Sequence, residues 1–160
     1  MNNKYEPIIS IYKTNSKLFI NSFDNVTEAN AKKRPNKKTN SMIFIALHIL
    51  DARFFILNQI GLSEKNPFEK YVDWVKAIDE IKIYPKLRDV LSTWKRVDKT
   101  LNDELNRLTP KKWNSDLQYR FPNGNKIISM VSFLAEHEAY HVGQLALIRK
   151  FWGYPATSYE

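Results

Sequence analysis

The chain has 160 residues, 43% of them apolar and 13% aromatic, with only four glycines and no cysteine. That composition excludes a disordered or collagen-like chain, a disulfide scaffold, an Fe–S cluster and a nucleophilic cysteine, and the length suits one domain with a real core, residues 1–160. Twenty-five Lys plus Arg against 17 Asp plus Glu leave a net charge of +8, a field that favours acidic partners or an anionic substrate.

Helical periodicity and punctuating residues divide the chain. Ile9, Tyr12, Leu18, Phe19 and Phe23 follow helical spacing from about Glu6 to Phe23. Thr27 and Glu28 open a short turn that Pro35 closes. Asn40 or Ser41 then caps a helix to Ile60, with Gly61 at its expected end. Pro67 opens a short segment through Val72, Trp74, Val75 and Ile78. Pro85 stands in the first turn of a helix carrying Val90, Trp94, Val97, Leu101 and Leu105 to about Leu108. Residues 110–126 read as a long loop in which only Gln118–Phe121 resembles a strand. A last helix runs from about Ser129 to Trp152, before Gly153. Four long helices in one domain predict an all-α four-helix bundle.

No run of about 20 apolar residues stands out as a membrane span. Glu6, Lys13 and Lys17 interrupt the N-terminus where a signal peptide needs an apolar core. A cytoplasmic protein without a membrane partner is therefore expected.

The three histidines carry the functional signal. His137 and His141 lie four apart on the last helix, one turn from each other on one face. Helical projection groups them with Met130, Phe133, Leu134, Tyr140, Gln144, Leu145, Ile148 and Phe151, which places both imidazoles mid-stripe, facing the core. Buried imidazoles need polar partners. One divalent cation satisfies both, and a catalytic zinc site takes three protein ligands and keeps a position open. His48, amid Phe44, Ile45, Ala52 and Phe55 on the second long helix, is the remaining histidine and the candidate third ligand. The alternative is three core histidines bonded to backbone or side-chain oxygens. Asp51, one turn past His48, either orients a ligand or pairs with Arg53 or a surface lysine. Gln144 reaches either the open metal position or a neighbouring helix. The helix around His48 is apolar all round, so a second layer must cover it, either the segment after Pro67 or another copy of the chain in a homodimer.

The stretch from Phe133 to Gly153, with its His-x-x-x-His pair, Gly143-Gln144 and a basic residue before the final glycine, resembles the last helix of DinB/YfiT-like proteins. The stretch Asn40–Phe55 resembles their second helix. The resemblance implies a four-helix bundle, usually dimeric, in which His48, His137 and His141 bind one divalent metal, zinc or nickel. It also implies a metal-dependent enzyme, since family members include transferases and isomerases acting with low-molecular-weight thiols; the expected activity is a thiol transferase or, through metal-activated water, a hydrolase. Such a metal lowers the pKa of a bound water to about 7 and equally activates a thiol. The thiol must come from outside, and a carboxylated one would suit the positive field. Tyr140 and Gln144 are candidates to position the reacting group, and Glu138 to act as base if its helix face turns inward.

Two other readings compete, besides a purely structural bundle with a vestigial site. His137-Glu138-Ala139-Tyr140-His141 satisfies the HExxH pattern of zinc peptidases, with Glu138 as general base. Only Glu160 follows as a carboxylate ligand, and His48 would have no role. Lys32, Lys33, Arg34, Lys37 and Lys38 form a basic cluster that suits phosphates, without any nucleic-acid-binding signature beside it.

Overall fold

The computed structural model describes residues 4–72 and 83–159. Four long helices form it: α1 (Glu6–Ser22), α3 (Met42–Ile60), α4 (Leu87–Arg107) and α6 (Ile127–Phe151). Each packs on two others, in the cyclic order α1, α6, α3, α4. Among the described residues they are joined by two short helices, α2 (Glu28–Lys32) and α5 (Pro110–Trp113), a 3-10 turn at Glu69–Tyr71 and one hairpin. The expected bundle is therefore present.

Local chemistry explains the boundaries. Ser41, not Asn40, caps α3: its side chain accepts a hydrogen bond from the Phe44 N–H at 3.3 Å. Gly61 ends α3 in the left-handed region at φ 118°. Thr27 and Thr109 cap α2 and α5. Pro85 lies just ahead of α4, whose cap is Lys86.

The predicted loop at 110–126 is more ordered than its composition suggests. After α5, strands β1 (Asp116–Phe121) and β2 (Gly124–Lys126) pair antiparallel, with Phe121 opposite Gly124. Gln118–Phe121 is thus a strand, extended back to Asp116. α6 begins directly at Ile127, earlier than expected.

The core is aromatic and interlocked. Phe19 and Trp94 stack at 3.7 Å between ring centroids, and Tyr5 and Trp113 at 4.5 Å. The Tyr12 hydroxyl donates to the Val131 carbonyl at 2.8 Å and Asn15 Nδ2 to the Ala135 carbonyl at 3.1 Å, so α1 is tied to α6. Arg149, almost fully buried, donates to the carbonyls of Ser22 and Asp24 at the end of α1 and to that of Pro155 after α6.

α3 is long and apolar enough to cross a bilayer, which corrects the expectation that no such segment exists. Its side chains are nevertheless mostly buried among the other helices, as a core helix requires. The layer expected over it includes Phe68 and Val72, which join the core. Trp74, Val75 and Ile78 lie outside the described residues.

Candidate metal centre

α3 is least buried along one stripe: Phe44, His48, Asp51, Phe55 and Asn58. That stripe faces a shoulder of α6. The buried line of α6 runs through Met130, Leu134, Glu138, Val142, Leu145 and Ile148. His137 and His141 sit beside it, half-buried. This corrects the expectation of imidazoles in mid-stripe. Tyr140 and Phe151, placed by projection on the same inward face, are 65% and 61% exposed. The cause is Glu138, which turns inward to meet a buried arginine and so rotates the histidines to the edge of the core.

At that edge the three imidazoles converge. The Nε2 atoms of His48 and His141 each lie 3.1 Å from His137 Nε2. All three candidate ligand atoms fall within 4.8 Å of one another. A tetrahedral ion with bonds of about 2.0–2.1 Å holds its nitrogens roughly 3.3 Å apart, close to the two shorter separations. Small ring rotations serve the third.

Protons alone do not satisfy this arrangement. His141 Nδ1 donates to Gln144 Oε1 at 2.8 Å, which leaves its Nε2 as a bare acceptor pointing at the cluster. A proton on His137 Nε2 can serve only one of its two neighbours. His137 Nδ1 is buried with no partner among the described residues. A cation at the centre satisfies all three Nε2 lone pairs at once.

The electrostatics keep those lone pairs available. Burial, reinforced by His141 and His137, pulls the His48 pKa down from 6.5 to about 4. Burial lowers His137 and His141 as well. Neutral imidazole is the metal-binding form.

Aromatic rings wall the site. Phe44 lies parallel to His48 at 6.5 Å and Phe133 stacks near His137 at 6.3 Å, while Tyr140 meets His141 edge-on at 5.1 Å. Phe121 brings the hairpin against Phe133 at 5.7 Å. Two cavities open beside neighbours of the trio, with none of the three histidines in their lining. One, of about 570 Å³, opens one turn past His48 and is lined by Asp51, Phe54, Phe55, Asn58, Leu62 and Glu64, among others. The other, of about 240 Å³, lies between Lys38–Asn40 and Gln144, Leu147 and Ile148.

The remaining candidates resolve as follows. Asp51 accepts from Asn66 Nδ2 at 2.7 Å, holding the loop after α3. Gln144 turns its Oε1 to His141 Nδ1 at 2.8 Å. Glu138 is 2% exposed, and both its oxygens accept from Arg53, at 2.6 Å and 2.9 Å. Both oxygens are held by Arg53 in the core, so neither is free for the general-base role that the HExxH reading requires. In the basic cluster, Lys32 pairs with Glu28, Lys33 lies over the Trp152 ring, and Arg34 bonds the carbonyls of Thr39 and Lys37. These groups brace the connection between α2 and α3.

Sequence reasoning missed Arg53, the fully buried hub between α3, α4 and α6. It bonds Glu138, Asp98 Oδ1 at 2.7 Å and the Tyr12 carbonyl, with its guanidinium 3.9 Å from the Trp94 ring centroid. Burial alone would lower its pKa, but the Glu138 and Asp98 carboxylates hold it above its ordinary value. The signal was available, since one arginine amid the apolar residues of α3 demands a buried acid.

A family model described as the DinB superfamily matches residues 12–145. No curated protein matches the chain.

Proposed function

The chain belongs to the DinB superfamily, and from that membership and its three converging imidazoles we propose that it is a metal-dependent enzyme. The observation that carries this reading is the meeting of the His48, His137 and His141 Nε2 atoms at the half-buried junction of α3 and α6. Three neutral imidazoles and an open side fit a divalent ion such as zinc or nickel. When bound, the ion supplies Lewis acidity that activates a water or a small external thiol near neutral pH.

The chain's own residues do the rest. Gln144 fixes the tautomer of His141, so that Nε2 is the free nitrogen. Phe44, Phe133 and the hairpin ring of Phe121 exclude water from the inner side of the trio. The smaller cavity carries Lys38 and Gln144, and none of its described lining residues is a carboxylate. It suits the anionic end of a carboxylated thiol. The larger one carries Asp51, Glu64 and Glu69 against Lys65 and suits an uncharged or cationic group. A cytoplasmic homodimer belongs to this proposal. The apolar surface favouring it is on α6, where Tyr140, Leu147 and Phe151 are exposed, rather than on α3.

The test is turnover by zinc- or nickel-loaded protein. A small carboxylated thiol and an electrophile should lose free thiol faster than the uncatalysed rate, and His48→Ala should abolish the difference. If neither thiol transfer nor hydrolysis of ester and amide probes exceeds the rate with His48→Ala, the enzymatic reading fails.

A further inference from the structure

Metal-binding histidines usually donate their second nitrogen to an outer acceptor that fixes the ring. His141 has one in Gln144, whereas the Nδ1 of His137 is buried without a partner among the described residues. Some other feature must then hold the His137 ring on station. Phe133 covers its face but leaves the helix free to rotate or slide. The residue next to His137 is Glu138, clamped by both oxygens onto Arg53.

We infer that the buried Arg53–Glu138 pair, braced by Asp98, positions the three-histidine site by fixing the rotation and register of α6 against α3. The inference rests on the metal-centre reading and extends it to residues that touch no ligand.

The geometry supports it in three ways. First, beside the His48–His137 contact, the Arg53–Glu138 bonds join α3 to α6 through polar side chains inside the core. Second, the fork of Arg53 meets Glu138 through two nitrogens, which constrains direction as well as distance. Third, Arg53 is itself held from other sides, by Asp98 and the Trp94 ring of α4 and the Tyr12 carbonyl of α1. The clamp refers α6 to the whole bundle. Arg53 follows His48 by five positions on α3, and Glu138 adjoins His137 on α6. Two rigid helices are thereby pinned at two points, one inside the core and one at its edge. The apolar contacts around them tolerate sliding more readily than a two-pronged ion pair does.

Arg53 and Glu138 are positioning residues, so the test needs a readout that stability alone does not move. Cobalt(II) serves, because its visible absorption reports coordination geometry. We compare the wild type, His48→Ala, Glu138→Gln and the apolar pair Arg53→Met/Glu138→Leu, each stripped of metal and titrated with cobalt(II). Glu138→Gln should bind 10- to 100-fold more weakly, the loss typical when a supporting residue is removed, with a changed spectrum. The apolar pair fills the same space, and its metal-free form should melt near the wild type because buried ion pairs are often replaceable without loss of stability. It should still show the weakened binding. If the pair does not fold, Glu138→Gln decides alone. Wild-type affinity and spectrum in either folded variant would overturn the positioning role while leaving the three-histidine site intact. A wild type that takes no cobalt, or a His48→Ala that binds it equally well, would overturn both.

Discussion

Arg53 shows how unevenly a buried pair responds to change. Replacing it alone with Met leaves the Glu138 carboxylate buried without its cation. Breaking one side of such a pair costs about 3–5 kcal/mol, so chemical denaturation of Arg53→Met should lose about that much stability. A loss below about 1 kcal/mol would mean that water reaches Glu138. The histidines make a second prediction. Unfolded, His48 takes its proton near pH 6.5, but folded it resists until about 4. Between these values the unfolded chain binds more protons, so the metal-free protein should lose stability as pH falls from about 6.5 towards 4, with the contribution intact above that window. The stability of His48→Phe should depend less on pH there; equal slopes would contradict the burial argument. The three candidate ligands were legible in part from spacing, as a histidine pair one turn apart and a third on another apolar helix, and the family resemblance grouped them. Glu138 was not. A helical projection sends every carboxylate outward unless its cation is sought on another helix.

Among the elements, α3 matters most because it carries both His48 and Arg53. Ser41→Ala removes the cap that satisfies the Phe44 N–H and should cost about 1 kcal/mol, measured by thermal or urea unfolding. No measurable change would mean that another group caps the helix. The hairpin offers a sharper test. Gly124 has φ 133°, and an added Cβ would meet Ser129 Oγ at 2.7 Å. Gly124→Ala should open the β1–β2 turn and loosen Phe121 from Phe133 beside His137. Hydrogen exchange should then quicken at β1 amides; unchanged protection would sink this prediction. The long helices and most of their caps were readable because their signals are local. The hairpin was only half legible: Leu117, Tyr119 and Phe121 alternate with polar residues, but the run is short, and what orders it is the packing of Phe121 on α6 and on Phe55 of α3. The facing of α6 was misread for a related reason: its inward side includes Glu138 and Arg149, whose burial depends on partners 85 and 127 residues away in sequence.

For the molecule as a whole, bundle and metal should stabilise each other, since an ion that needs α3 and α6 together binds only the folded chain. At a free metal concentration 100 times Kd the gain is about 2.7 kcal/mol. For a chain of this size that raises Tm by about 5–10 °C. A chelator should reverse the shift, and His48→Ala should show none. Sedimentation at micromolar concentration should give twice the mass of one chain; a single-chain mass would contradict the dimer. The most direct measurement is elemental analysis of untagged protein, wild type beside His48→Ala. About one divalent transition-metal ion per chain in the wild type, largely lost in a mutant that still folds, is the expected result. A wild type that carries no metal and refuses added zinc or nickel, or a mutant that keeps its full equivalent, would contradict it.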